Sequence, residues 1–344
     1  MQFSKQVLYE FNMPYALGWM EKDGQRCIVG ATEDHGPIVV SSPPYKSARV
    51  LVDGPGGCMS LVSHPRFPGE LYAIMGCFLG YNFHGGALYR ITASGESANS
   101  EKLLDLPFAH RMEVVERRGE PVVIVANLAA LKDTPQDWSR PGSVYAFALG
   151  DQESRSRLEV LLPNIHKNHG FLKTTFRGQP SVLISGTEGL FSLAVGALDS
   201  WDFKKVLPHE VSEIAVFDLD GDGEQELITI EPFHGNVLAV YKFQQNGWIR
   251  VWETELDYGH CVLADTIFAK ASVLVSNRAG NKDLLLFQFE PGADAFVHPT
   301  RLVVEAGVGA ANMLVVHQPQ GTLIIATNQT QGQLVRYSPD PTGL

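Results

Sequence analysis

The chain has 344 residues, 44% of them apolar and 19% charged, with a formal net charge of −11. This is enough apolar material for a large core, while an acidic composition with no Lys/Arg cluster argues against nucleic acid or anionic membranes as partners. The start, MQFSKQVLYEF, lacks the apolar run of a secretory signal, no segment is apolar enough to span a membrane, and four cysteines without C-x-x-C spacing suit reduced thiols. A soluble cytoplasmic protein is the resulting expectation.

Along the chain, short apolar runs alternate with Gly, Pro, Asn and Asp breakers at intervals too short for helices. A "VL" strand recurs at Val7-Leu8, Val50-Leu51, Leu103-Leu104, Val160-Leu161, Val206-Leu207, Val251-Trp252 and Leu302-Val303. The spacing is roughly 45 to 55 residues, the period of propeller blades. Each copy is followed by a turn and three more strands, as in SEIAVFD, QELITIE and NVLAVYKF between Ser212 and Phe243. The pattern predicts an all-β, seven-bladed β-propeller with four-stranded blades, forming one domain over residues 1–344. The last module stops at its third strand and the chain begins with an orphan "VL" strand. Lys5 to Phe11 is therefore expected to complete the seventh blade as its outer strand and close the ring.

In this register strands a to d run outward from the channel, and the start of strand a shares a face with the b-to-c loops. Counting back from the second strands aligns His110, His169 and His260 at the start of strand a, with approximate counterparts Pro14, Cys58, Val211 and Ala310 elsewhere. His166 competes with His169, because the segment Asn164 to His169 contains an insertion. A second set, His35, His84 and His234, sits in b-to-c loops, each followed by glycine. His64, His209, His298 and His317 fit neither set and are read as turn or core residues. Neutral imidazoles drawn from several strands are the donor set of a divalent metal with open positions, so His110, His169, His260 and His234 are the expected ligands of Zn, Mn or Mg at the channel mouth. Cys58 is read as a small buried residue.

Other polar groups fall on the same face. Tyr258, His166, Arg111, Lys167 and Glu231 are candidates for proton transfer or oxyanion stabilisation. Asp34 and Glu188 are further acids beside these loops, and Arg278 is suited to a substrate carboxylate. The b-to-c loop of blade 3, Leu128 to Pro141, is longer than its equivalents and reads as a wall or lid. Trp138 on this loop, with Phe78, Tyr81 and Phe83 of blade 2, offers flat apolar surfaces for a sugar ring, and His35 and His84 join the substrate-binding set.

Asp218-Leu-Asp-Gly-Asp-Gly-Glu-Gln-Glu-Leu227 alternates carboxylates with glycines, as calcium loops do, so Asp218, Asp220 and Asp222 are a possible Ca²⁺ set. It forms the a-to-b turn of blade 5, on the face away from the histidines. This D-x-D-G-D-G-x-x-E-L loop resembles those of FG-GAP/VCBS-type propeller repeats. With the histidine-rich mouth, the chain resembles the seven-bladed propeller of aldos-2-ulose dehydratase, and it is similar to propeller polysaccharide lyases such as oligogalacturonate lyase. The resemblance implies a metal-dependent lyase (dehydratase or β-elimination) or isomerase acting on a carbohydrate such as a ketosugar or uronate. The competing expectation is a non-catalytic propeller that binds a ligand or a protein.

Overall fold

The computed structural model describes residues 2–77, 83–150, 152–196, 200–245, 247–292 and 294–340. They form seven four-stranded antiparallel sheets, and the order of strands within each sheet follows the chain. Only the seventh mixes chain ends: Ala310–Gln318, Gly321–Asn328 and Gln333–Pro339 are completed by Phe3–Glu10. Each innermost strand touches the next around the ring, including that of blade 7 against that of blade 1. This is a closed seven-bladed β-propeller, and all seven "VL" pairs lie on outer strands.

Burial across a blade follows from this stacking. Second strands are covered on both faces by neighbouring blades and therefore read as continuous apolar runs, as in Glu120–Asn127 (EPVVIVAN), buried from Pro121 through Ala126. Outer strands face water, as in Ser97–Asp105, mostly exposed. The core is accordingly divided among the seams: Ile124, Ala126 and Val144 of blade 3 pack on Val182, Ile184 and Leu193 of blade 4, and Ile28 and Val39 of blade 1 on Val316, Ile325 and Leu334 of blade 7. Burying one such side chain is worth about 1.5–3 kcal/mol.

Closure rests on the register Phe3↔Pro339 to Glu10↔Gln333, supported by Lys5 Nζ on Glu305 Oε1 at 2.9 Å and by the amide of Ala48 on the Leu8 carbonyl at 2.8 Å. Deleting residues 1–10 would leave strand Gln333–Pro339 an open edge and uncover the blade 7–blade 1 seam. The expected outcome is a large fall in melting temperature with a broadened transition, followed by circular dichroism.

Strand a carries the feature that positions the mouth. In blade 3 (Ala109–Arg117) and blade 6 (Gly259–Ile267) the register slips between Ala109 and Arg111 and between Gly259 and Cys261, leaving His110 and His260 unpaired. A bulge of this kind re-aims one side chain. Blade 1 slips between Pro14 and Leu17, and blade 7 between Ala310 and Met313. Matching the paired residue before each slip places Tyr15 and Ala311, not Pro14 and Ala310, at the histidine position.

Candidate functional site

Four histidines meet at the mouth. The His169 ring lies 5.0 Å from His110, 4.7 Å from His234 and 5.0 Å from His260, and His234 lies 5.1 Å from His260, centroid to centroid. His110 and His260 enter from strand a of blades 3 and 6, His169 from the segment just before strand a of blade 4 (Phe171–Phe176), and His234 from the b-to-c loop of blade 5. Glycines permit the close approach. A Cβ on Gly170 would stand 2.6 Å from the Ser212 carbonyl, and one on Gly235 2.1 Å from that of Glu231. His234 has φ 46°, a left-handed conformation that costs a non-glycine residue, and its amide donates to Ser212 Oγ at 3.1 Å.

Burial holds His110, His169 and His260 well below the ordinary histidine range, with nearby cationic and imidazole groups adding to it. It pulls His234 down to about 3, helped by Arg278 and Arg111. All four are neutral at pH 7. The Nδ1 of His260 faces the Ala311 carbonyl at 3.0 Å, which can only accept, so the proton sits on Nδ1 and the Nε2 lone pair is free. His234 Nδ1 is 2.7 Å from the Tyr258 hydroxyl, and its buried Nε2 has no hydrogen-bond partner. Glu213 Oε1 stands 2.5 Å from His169 Nδ1, outside hydrogen-bond geometry, and accepts from Arg111 Nη2 at 3.2 Å. Burial pushes the Glu213 carboxyl up to about 7.

One nitrogen each from His169, His234 and His260 lie within 4.8 Å of one another. Bonds of 2.1 Å at the tetrahedral angle put such atoms about 3.4 Å apart, so the trio is looser than a bound ligand set but of the right chemistry. His110 stands outside it, with Nε2 3.2 Å from the Tyr15 hydroxyl.

The histidines floor a cavity of about 390 Å³ walled by Lys132, Pro135, Gln136 and Trp138 of the long blade 3 loop and by Phe233, Tyr258, Arg278, Glu33 and Tyr15. Lys132 Nζ sits 3.2 Å from the centre of the Trp138 ring, and Phe233 stacks on His234 at 4.0 Å. Below lies the axial channel, about 410 Å³, where Arg111, Glu113 and Glu213 are among the lining residues.

The structure thus gathers His110, His169, His234, His260, Tyr258, Trp138 and Arg278, and places other expected residues elsewhere. His166, the alternative to His169, is turned to Glu188, with Nδ1 2.6 Å from Oε1. Lys167 is paired with Glu210 at 3.2 Å, its ammonium over the Phe233 ring at 5.6 Å from the ring centre, and it does not line the cavity. Arg111 lies beneath the cluster, its Nε donating to the His169 carbonyl at 3.0 Å. Glu231 is a correction. Its carboxylate is consumed inside blade 5 by Thr229 Oγ1 at 2.6 Å, the Tyr241 hydroxyl at 2.8 Å, Arg250 Nη2 at 2.5 Å and His209 Nε2 at 3.0 Å. His35 and His84 are exposed and do not line the cavity, His84 packing on Phe108. Cys58 is fully buried. Tyr81, Phe78 and the Phe83 side chain lie outside the described residues.

Sequence reasoning missed Tyr15, Glu33, Lys132 and Phe233. A signal existed for Glu33. The amides of Glu33, Leu128 and Arg278 bond back to the carbonyls of Met13, Phe108 and Tyr258, a single repeat position just past strand b. Met13, Phe108 and Tyr258 all have φ between 44° and 61°, so the left-handed backbone of Tyr258 belongs to the repeat.

The acidic loop lies at the opposite end of strand a. Asp218 accepts from the amides of Gly221 and Gly223, at 2.8 and 2.9 Å. Lys242 Nζ reaches into the carboxylates, touching Asp220 and lying 2.7 Å from Asp222 and 3.5 Å from the buried Glu226. The hairpin therefore carries its own counter-charge. Lys242→Met is expected to destabilise the protein and to make its melting temperature rise with millimolar Ca²⁺, whereas the unaltered chain responds little; differential scanning fluorimetry reads both.

Fold and site together define a seven-bladed β-propeller with a histidine-lined mouth. Among solved structures the chain is similar to Sqt1 of Saccharomyces cerevisiae (TM-score 0.60, 9% identity, covering 99% of each chain). It is also similar to a chain of the mitotic checkpoint complex (TM-score 0.60, 9% identity, 98% of this chain and 93% of that one) and to a Lactobacillus plantarum protein (TM-score 0.57, 14% identity, 97% and 94%). At these identities the likeness concerns the fold alone. No protein-family profile and no curated protein sequence matches the chain. No helix among the described residues is long and apolar enough to cross a membrane.

Proposed function

We propose that this propeller holds a divalent metal ion at His169, His234 and His260 and catalyses a lyase or isomerase reaction on a carbohydrate in the cavity above them. The observation that carries this reading is the trio itself: three neutral imidazoles from blades 4, 5 and 6, two of them buried and one partly so, with the Nε2 of His234 buried and unpartnered. The donor set suits Zn, and Mn as well, and fits Mg less, since Mg prefers oxygen ligands. A bound ion supplies Lewis acidity that polarises a carbonyl or carboxylate and acidifies the neighbouring C–H.

The chain's own groups supply the rest. Trp138 and Phe233 offer flat walls to a sugar ring, and Arg278 a guanidinium for a carboxylate. Tyr258, 45% exposed and 2.7 Å from His234 Nδ1, is placed to give or take a proton at the cavity rim. The resemblance to aldos-2-ulose dehydratase and to propeller polysaccharide lyases points to the same reaction class. Calcium at Asp218, Asp220 and Asp222 would have to displace the Lys242 ammonium, so the channel mouth is the favoured metal site.

A second reading is a non-catalytic binding platform, favoured by the likeness to a chain found in the mitotic checkpoint complex. Metal analysis of the purified protein, with thermal melts in the presence and absence of EDTA, separates the two. Stoichiometric divalent metal and a melting temperature lowered by EDTA are expected; absence of metal with an unchanged melt would sink the metal reading.

A further inference from the structure

We propose that Glu213 is a positioning residue of the metal site: it holds the proton of His169 on Nδ1 and so leaves the Nε2 lone pair for the ion. The inference deepens the metal reading and rests on it.

The backbone on both sides of His169 is fixed by its neighbours. Asn168 Nδ2 donates to the Ser185 carbonyl at 2.7 Å, and the Gly170 amide to Ser185 Oγ at 2.9 Å. Ser185 Oγ in turn donates to the Ser212 carbonyl at 2.7 Å, which ties this stretch of blade 4 to the residue before Glu213 in blade 5. The His169 carbonyl accepts from Arg111 Nε of blade 3 at 3.0 Å. Arg111 Nη2 donates to Glu213 Oε1 at 3.2 Å, and that oxygen stands 2.5 Å from His169 Nδ1. Arginine and glutamate thus close on one imidazole from both neighbouring blades, their side chains 13% and 12% exposed. A guanidinium can only donate, so Arg111 favours the carboxylate form of Glu213, which can only accept. The contact with Nδ1 falls outside hydrogen-bond geometry, and a rotation of the ring completes it.

The other two expected ligands are held by the same nitrogen. His260 Nδ1 faces the Ala311 carbonyl at 3.0 Å, and His234 Nδ1 the Tyr258 hydroxyl at 2.7 Å. In all three rings Nδ1 has a neighbour behind it and Nε2 remains for the ion. His110 is turned the other way, with Nε2 on the Tyr15 hydroxyl at 3.2 Å and Nδ1 without a partner, in keeping with its place outside the trio. Of the three Nδ1 neighbours Glu213 alone carries a charge. A carboxylate behind a ligating imidazole fixes its tautomer and raises its basicity, and losing such a partner costs about 10–100-fold in metal affinity.

The test uses the full chain labelled with ¹⁵N-histidine, at pH 8, above the value of about 7 to which burial raises the Glu213 carboxyl. After EDTA treatment and dialysis, long-range ¹H–¹⁵N spectra report the His169 tautomer, its signals assigned by their absence from His169→Gln. Calorimetric Mn²⁺ titration reports affinity. In the unaltered chain His169 is expected in the Nδ1–H form. Glu213→Met is expected to move it toward Nε2–H and to lower Mn²⁺ affinity about 10–100-fold, and Glu213→Gln, whose amide oxygen still accepts, to keep the Nδ1–H form and lose less than about tenfold. An Nε2–H ring in the unaltered chain, or a tautomer unchanged in Glu213→Met, overturns the proposal. Should Glu213→Met, which strands Arg111, not fold, the ring of the unaltered chain decides, Nδ1–H upholding the proposal and Nε2–H overturning it. A Glu213-dependent Nδ1–H ring in a chain that binds no Mn²⁺ upholds the tautomer assignment and overturns the metal reading.

Discussion

His169→Ala, His234→Ala and His260→Ala are each expected to abolish metal retention, lowering Mn²⁺ or Zn²⁺ affinity by more than about 100-fold, beyond the ~10–100-fold that loss of an outer partner costs. Each supplies one of three nitrogens within 4.8 Å of one another, and a site of this size has no spare donor. His110→Ala is expected to cost much less. The sequence alignment made His110 a ligand on equal terms, but its Nε2 is directed to Tyr15 at 3.2 Å, so its loss loosens the packing beside His169 and leaves the trio. His317→Ala should change nothing at the mouth, because His317 is exposed on strand a of blade 7 and pairs with Asp265 at 3.1 Å. Elemental analysis after dialysis and calorimetric Mn²⁺ titration read all five proteins. Equal losses across the five would mean that metal binds elsewhere.

Glu231→Gln is expected to cost about 3 kcal/mol of unfolding free energy, measured by urea denaturation, while metal retention stays intact. The carboxylate is 6% exposed and holds Arg250, Tyr241, Thr229 and His209 together. An amide keeps the shape but loses the charge facing Arg250 and turns an NH₂ toward one of the remaining donors, leaving polar groups buried without partners. Arg250 is itself 38% exposed, and solvent screening keeps the estimate at the lower end for a broken buried pair. A catalytic Glu231 would show the opposite pattern, with stability kept and metal-dependent chemistry lost.

These two variants mark where reading along the chain succeeded and where it stopped. Seven copies of a strand that must be apolar on one side and wet on the other are visible as "VL" pairs, and their spacing counts the blades. The missing outer strand of the last module is visible in the same way, and Phe3–Glu10 fills it. Histidines at the head of strand a were legible because blades 3, 4 and 6 repeat them in phase.

The choice among phased residues was not legible. His35, His84 and His234 share the same His-Gly signature, yet of the three only His234 lines the cavity. The difference lies in the loop backbone, which at His234 takes φ 46° and is tied to Ser212 of the same blade. Glu231, three residues earlier, faces into blade 5 because a strand alternates its side chains.

What the sequence by itself determined is the fold, since a repeated local pattern of apolar and breaker residues needs no distant partner to be read. The site was decided by tertiary structure. A bulge of one residue sends His110, His260 and Tyr15 toward the axis, and a loop remote in sequence lays Lys132 and Trp138 over them. Neither the bulge nor the meeting of blades 1, 3, 4, 5 and 6 at one point is a property of any short stretch. Both follow from closing the ring, which brings strand ends far apart in the chain within one side chain's reach of a common axis.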